Sequence, residues 1–376
     1  MEQELIRLSK SVIGSEEKRA VMGVLDREYL GMGKEVKEFE DALTSFFHRQ
    51  ALCVNTGTAA IHLALQALGI GRGDEVLVQS LTYLATFQAI SATGAKPIPC
   101  DINPETITID VNDARKRITE KTKAIVPVHY ASGMGTLDKV YDLAADNGLR
   151  VVEDAAHAFG CYYKGRKVGS FGDIACFSLV GTKNITSGEG GIIVTDDEQV
   201  IQRASDARLL GVEGDAQKRY VGDRSYDFDV KYQGWRYHMS NIMAAIGIEQ
   251  LKKLPEFSMV RKSIARRYRG HLGHIDSIEL LKQDINSIIP HIFVVKLKNI
   301  NRDRVREKLL RQGIQAGVHY FPNHLLSLYM NNTTLPLPVT EEIYPELLTL
   351  PLHPDLSDSD VDYICEQLIE CIEDER

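Results

Sequence analysis

No run of residues in this chain approaches the roughly 20 consecutive apolar residues that a membrane-spanning helix needs. Nor does a basic-then-apolar leader pattern open it: Met1-Glu2-Gln3-Glu4-Leu5 carries acid where a leader carries base, and a cytoplasmic location is expected. Positive charge is in the minority, with 44 Lys plus Arg against 52 Asp plus Glu and a formal charge of −8. Such a surface has no general attraction for nucleic acid or an anionic membrane, so an anionic ligand must be met by a local basic cluster. The six cysteines, at 53, 100, 161, 176, 365 and 371, include no C-x-x-C pair. That spacing argues against a zinc site or a disulfide framework and leaves each as a small core residue; no metal is expected. No G-x-G-x-x-G opens a helix after a strand, which sets aside a dinucleotide-dependent dehydrogenase. Repeats, low-complexity tracts and Pro/Gly-rich linkers are absent too.

What is present is length and alternation. The chain has 376 residues, and single cores stop growing near ~250–300 residues. A large domain over 1–250 and a smaller C-terminal one over 251–376 are therefore expected. Residues 16–28 and 34–47 read as amphipathic helices, and 58–68 has apolar residues at helical spacing. Short β-rich runs at 75–79, 96–99, 124–129 and 150–153 alternate with helical stretches at 83–93 and 137–147. This pattern predicts an α/β fold with a mainly parallel sheet covered on both faces, whose ligands sit beyond the carboxyl ends of the strands. Two further apolar runs, 174–179 and 190–195, bracket a Gly-rich turn, and a long helix is expected from 240, broken near Pro255. Strand-like 291–297, helix 302–312 and a final helix at 357–372 make up the smaller α/β domain.

Four segments carry chemistry jointly. Asn55-Thr56-Gly57-Thr58 is a small-residue turn opening a helix, where unpaired N–H groups and hydroxyls make an anion site; alone, Thr58 reads equally as a simple helix cap. Asp154 ends the β-branched run Val151-Val152-Glu153, where a buried strand delivers its last side chain into a crevice. A carboxylate there needs a partner, and a protonated pyridine nitrogen is a good one; the plainer alternative is a cap on the next helix. Lys183 lies in a Gly-, Ser- and Thr-rich turn after an apolar strand, five residues beyond Ser178, whose hydroxyl suits a phosphate. To attack a carbonyl, its amine must lose its proton part of the time, so its pKa must fall from the ordinary value near ~10.4. Tyr83 follows the strand at 75–79, where an aromatic can stack on a flat ring or begin the core face of its helix.

In chain order, these segments resemble the DegT/DnrJ/StrS family of nucleotide-sugar aminotransferases. The likeness begins at Gly31-Met32-Gly33-Lys34-Glu35-Val36 and Phe39-Glu40. It continues through NTGTAAIHLAL, GDEVLVQSLTY, VVEDAAHAFG and FSLVGTKNITSGEGG to AAIGIEQL and LPLHPDLSD. The resemblance implies a fold-type-I aminotransferase architecture, with a seven-stranded sheet in the large domain and pyridoxal 5′-phosphate (PLP) as cofactor, cycling through pyridoxamine 5′-phosphate. It implies that Lys183 is the catalytic lysine, bound to the cofactor as a Schiff base and serving as proton shuttle. By the same resemblance Asp154 pairs with the pyridine nitrogen, and His157 lies near the phenolic oxygen. Gly57, Thr58 and Ser178 hold the phosphate, and Tyr83 stacks on the ring. A branch of the family that replaces the lysine by His deoxygenates instead; Lys183 favours transamination.

Two departures stand out. The family's GYNYRM segment reads Gly234-Trp235-Arg236-Tyr237-His238-Met239, and the early SKP reads Ser9-Lys10-Ser11. In relatives the Asn of the first segment reaches the cofactor phosphate of the other subunit, so Arg236 takes that place or turns to substrate, and a homodimer with shared active sites is implied. His319, Tyr320 and His324 match a loop near the sugar nucleotide, while Lys218, Arg219, Arg224 and Lys231 are either phosphate contacts or solvated loop charges. The implied reaction is amination of a nucleotide-linked keto sugar, with the lysine segment leaning toward a 4-keto-6-deoxyhexose, and L-glutamate as donor. The product would be an amino sugar for surface polysaccharide, O-antigen or glycoconjugate synthesis. Amination at C-3, a PLP-dependent sugar dehydratase, an amino-acid decarboxylase and a non-catalytic PLP-binding regulator remain as alternatives.

Overall fold

The computed structural model describes residues 5–332 and 335–375; Met1 to Glu4, considered above as a leader, lie outside the described residues. Helices α1 (Ser15–Asp26) and α2 (Lys34–Phe47) lead to β1 (Gln50–Val54). Alternation follows: α3 (Gly57–Ala67), β2 (Glu75–Gln79), α4 (Leu84–Ala92), β3 (Lys96–Cys100), α5 (Val111–Arg117), β4 (Thr122–Val126), α6 (Leu137–Asn147) and β5 (Arg150–Asp154). A small hairpin, β6 (Tyr162–Tyr163) and β7 (Arg166–Lys167), precedes β8 (Ile174–Ser178) and β9 (Gly191–Thr195). Three helices come next, α7 (Glu198–Ala207), α8 (Asp215–Tyr220) and α9 (Asn241–Leu272). The chain closes with β10 (Ile278–Leu280), β11 (Phe293–Leu297), α10 (Arg302–Arg311), α11 (Pro338–Ile343), β12 (Leu347–Leu350) and α12 (Asp358–Glu373).

The main sheet has seven strands in the order β1-β9-β8-β5-β4-β2-β3. Strands β3, β2, β4, β5 and β8 run parallel, β9 is antiparallel to both β8 and β1, and so β1 points with the majority. One consequence fixes the site. The carboxyl ends of β1, β2, β5 and β8 share one edge, and they lead into Asn55, Ser80, Ala155 and Leu179 respectively. Apolar side chains cover both faces: Val151 and Val152, adjacent on β5, point to opposite sides, and each is buried in a separate cluster.

Several sequence expectations are met closely, and α6 occupies the residues its pattern predicted. The expected break at Pro255 does not occur, because α9 runs through it. Proline removes one hydrogen bond from the ladder, but packing against α1, α2 and α12 along its length holds the helix together. Residues 250 and 251, on either side of the proposed domain division, both lie in this helix; we propose that α9 serves both domains. The smaller sheet is antiparallel, in the order β10-β11-β12. The N-terminal segment meets the chain after α10 and after β12, with Ile6 bridging Ile314 and Leu8 O accepting from Leu352 N. Among the described residues no helix is long and apolar enough to cross a membrane, and the six cysteines are buried and unpaired with one another.

Candidate active site

Strand ends and their turns enclose a cavity of about 480 Å³, lined among others by Gly57, Thr58, Tyr83, Asp154, His157, Ser178, Lys183 and Tyr320. A cavity of about 530 Å³ beside Tyr162 and Lys282 is larger, but it contains no strand-end acid and no enclosed amine. Chemistry, not size, marks the first as the candidate.

Asp154 ends β5 nearly buried, 5% exposed. Thr86 Oγ1 donates to its Oδ2 at 2.6 Å, and Ala156 N donates to its Oδ1 at 3.1 Å. Those donors stabilise the charged carboxylate and aim it into the cavity. The cap expected of Asp154 is only a short turn, since no helix follows β5 directly.

Lys183 sits in the turn between β8 and β9, its N–H bonded to Val180 O at 3.0 Å. Burial brings its ammonium down from 10.5 to about 8; Asp154 opposes the change and Arg261 adds to it. Its Nζ lies 3.3 Å from Nε2 of His291, two residues before β11 begins. Burial first, and then Lys183, hold the His291 and His157 imidazoles well below their ordinary value, so both are neutral at pH 7. His157 Nε2 lies 3.0 Å from the Tyr320 hydroxyl, while its Nδ1 is buried with no partner. His319 also lines the cavity and is held at about 4 by burial and by Lys183.

At the other end, Thr56 caps α3 by accepting from Ala59 N at 3.0 Å. The cap is therefore Thr56 and not Thr58, whose side chain is exposed toward the cavity. Gly57 packs so tightly on β8 that an added Cβ would lie 2.8 Å from Ser178 Cβ. That close approach brings the first N–H groups of α3 and the Ser178 hydroxyl together as one anion cradle. Tyr83 is 60% exposed on the cavity wall, with its ring 5.5 Å from that of Tyr320, so it does not begin a core face. An anion cradle, a strand-end carboxylate, a half-buried amine of lowered basicity and a His157 Nδ1 without a partner among the described residues fit a phosphorylated pyridine aldehyde. Gly57, Thr58 and Ser178 would hold its phosphate, Asp154 its ring nitrogen and Lys183 its aldehyde carbon.

Some expected residues lie elsewhere. His324 does not line the cavity; its Nδ1 is 2.6 Å from Ser80 Oγ and its Nε2 3.2 Å from Glu341, so both nitrogens are already engaged in holding the loop. Arg236 is exposed away from this cavity, with its backbone bridged to Leu209 and its carbonyl 3.5 Å from Asn55 Nδ2. Arg219 pairs with Asp215 and Lys231 with Glu213, and neither these nor Lys218 and Arg224 line the cavity. Conversely, the sequence argument passed over Thr86, His291 and Arg261. Thr86 lies one turn after Tyr83 on α4. Arg261 falls on the apolar stripe Phe257, Ile264, Tyr268 and Leu272 of α9, where a charge is itself a signal.

The pattern of the DegT/DnrJ/EryC1/StrS aminotransferase family matches residues 11–369. The chain is 36% identical over 358 residues to the uncharacterized protein MJ1066 of Methanocaldococcus jannaschii, covering 93% of each. Among solved structures, it is similar to Spr1654 from Streptococcus pneumoniae in its PLP form, with 29% identity, TM-score 0.92, and 99% and 100% of the two chains covered. Helicobacter pylori PseC, an aminotransferase involved in the biosynthesis of pseudoaminic acid, aligns at 28% identity and TM-score 0.90 over 99% and 100%.

Proposed function

The chain belongs to the DegT/DnrJ/EryC1/StrS aminotransferase family of PLP-dependent enzymes, and from that premise we propose that it aminates a nucleotide-linked keto sugar. The acceptor we favour is a 4-keto-6-deoxyhexose and the donor L-glutamate, with the product entering surface polysaccharide or glycoconjugate synthesis in the cytoplasm. When bound, the cofactor supplies an electron sink that carries an amino group from donor to acceptor. Asp154 would hold the ring nitrogen and, as a carboxylate, favour its protonated form. Lys183 Nζ would move a proton between the substrate carbon and the cofactor's exocyclic carbon, general acid–base work suited to an amine with a value of about 8. His319 and Tyr320 line the same cavity, where they would meet the sugar. Arg236 would act on the partner's site in a homodimer.

A single observation carries this proposal: the Asp154 carboxylate, at the end of β5, and the Lys183 amine, in the turn after the adjacent parallel strand β8, line one cavity. The test has two stages. Borohydride should fix the cofactor on Lys183, and K183A should be colourless and inactive. A panel of UDP-, dTDP- and GDP-linked keto sugars with glutamate, with the amine position located by NMR, should then yield one aminated product. Wild-type turnover by K183A, or no half-reaction with any amino donor, would end the proposal.

A further inference from the structure

Against the backbone of Lys183 a guanidinium is sealed into the protein. Arg261, on α9, is 2% exposed. Buried arginines are ordinarily paired with a carboxylate, because an isolated charge is expensive to remove from water. This one is met by backbone instead. Its Nη1 donates to the carbonyls of Pro290, His291 and Leu352 at 3.3, 3.3 and 3.4 Å, and its Nη2 donates to Lys183 O at 3.5 Å. All four bonds are long, and Nε has no partner. Burial, with no acid to offset it, lowers the guanidinium itself to about 10. Four carbonyl dipoles support the charge only in part, and Lys183 is among the groups on which it acts.

We propose that Arg261 is a positioning residue for Lys183, a guanidinium without a counter-ion that ties the lysine's turn to the His291 segment and whose charge favours the neutral amine. The geometry gives it two linked effects. By holding the carbonyls of Lys183 and His291 in one fork, it sets the 3.3 Å approach of Lys183 Nζ to His291 Nε2. By adding positive charge beside the amine, it opposes the ammonium form, as a like charge does. The other groups facing the lysine are Asp154 at the end of β5, His157 in the turn after it, His291 ahead of β11, His319 and Tyr320 in the loop before β12, and Glu189 in the lysine's own turn. The histidines are neutral, Tyr320 is pushed further from ionisation by burial, and Glu189 is exposed, so Asp154 and Arg261 are the two buried charges in opposition. Arginine suits the task because it stays charged where a lysine would release its proton.

The inference rests on Lys183 being the cofactor lysine, yet it can be tested without turnover. The full chain, stripped of cofactor, is labelled competitively with acetic anhydride from about pH 6 to 11, and the Lys183 peptide is read by mass spectrometry for the midpoint of its reactivity. R261Q keeps donors but loses the charge; its midpoint should rise by about one pH unit, a roughly tenfold loss of free amine at neutral pH. R261K, whose ammonium would release its proton in that buried setting, should shift the midpoint the same way. An unmoved midpoint in folded R261Q overturns the proposal. Should R261Q fail to fold, R261K decides: a raised midpoint supports the charge effect and an unmoved one overturns it. Failure of borohydride to label Lys183 would strike the aminotransferase site instead, and leaves this titration readable.

Discussion

The Thr86 hydroxyl donates to Asp154 Oδ2 at 2.6 Å from inside the first turn of α4. The bond joins the helix after β2 to the end of β5, two strands away in the sheet, and both residues are buried. It fixes which way the carboxylate faces before any ligand arrives. Thr86→Val keeps the shape but removes the donor. A hydrogen bond to a charged group is worth ~1.5–3 kcal/mol, so T86V should bind PLP about tenfold to a hundredfold more weakly, while T86S retains most of the affinity. Titrating the cofactor-free protein with PLP and following the visible band measures this; equal affinity in T86V would remove Thr86 from the site.

Gly57 has a different kind of importance, one of space. A methyl group at this position would meet Ser178 Cβ at 2.8 Å, and that neighbour is a packed strand end, not a flexible tip. Overpacking of this sort costs about 1–3 kcal/mol. Gly57→Ala should therefore part the N-terminus of α3 from Ser178 and weaken phosphate binding. We expect loss of PLP affinity together with a lowered melting temperature, whereas Ser178→Ala should lose affinity with little change in melting. A G57A protein that binds PLP normally would show that the two elements do not act as one cradle.

Much of this site was legible in the sequence because its residues occupy punctuation points. Asp154 closes a β-branched run, Lys183 falls in a glycine-rich turn, and Gly57 opens a helix. Local chemistry announces such positions. The direction of β9 was not legible, since an apolar run reads the same either way and only pairing with β8 and β1 decides it. Strand β1 was also passed over: Gln50–Val54 is a five-residue run directly after α2. Pro255 misled because propensity is local, whereas α9 is held by packing along 32 residues. His291 and His324 could not be sorted from sequence at all. Both are histidines near strand or loop boundaries, and only tertiary contact turns one to Lys183 and the other to Ser80 and Glu341.

Lys183 should make the cofactor-free protein's stability depend on pH. Folding lowers its value from 10.5 to about 8, chiefly by burial. Between these values the unfolded chain binds more protons than the folded one, so this group's contribution rises with pH there. It is fully present above the unfolded value and lost as pH falls through about 8. At pH 7 the penalty is ~2–3 kcal/mol, allowing for screening by water in the cavity. Lys183→Met, which cannot charge, should accordingly be the more stable protein at pH 7, with the gap closing toward pH 10. Chemical denaturation of both proteins across this range is the check; a gap that does not change with pH would mean that the lysine is not held in a low-polarity setting.

Arg236 presents the sharpest question about assembly, because it leaves its own cavity and points outward. The segment before it exposes Val221, Tyr226, Phe228 and Tyr232, by 81, 88, 55 and 70%. Large apolar groups exposed along one segment favour a protein contact, and in the proposed homodimer a second copy of the chain would give Arg236 a phosphate to meet. Arg236→Ala and Lys183→Ala should each be inactive or nearly so as pure homodimers. Mixed after mild denaturation and refolding, they form a heterodimer in which one site has both its own Lys183 and the partner chain's Arg236. That site should work, restoring about a quarter of wild-type activity in an equal mixture of freely exchanging chains. If Arg236 instead served its own chain's site, every site in the mixture would lack one of the two groups and mixing would restore nothing.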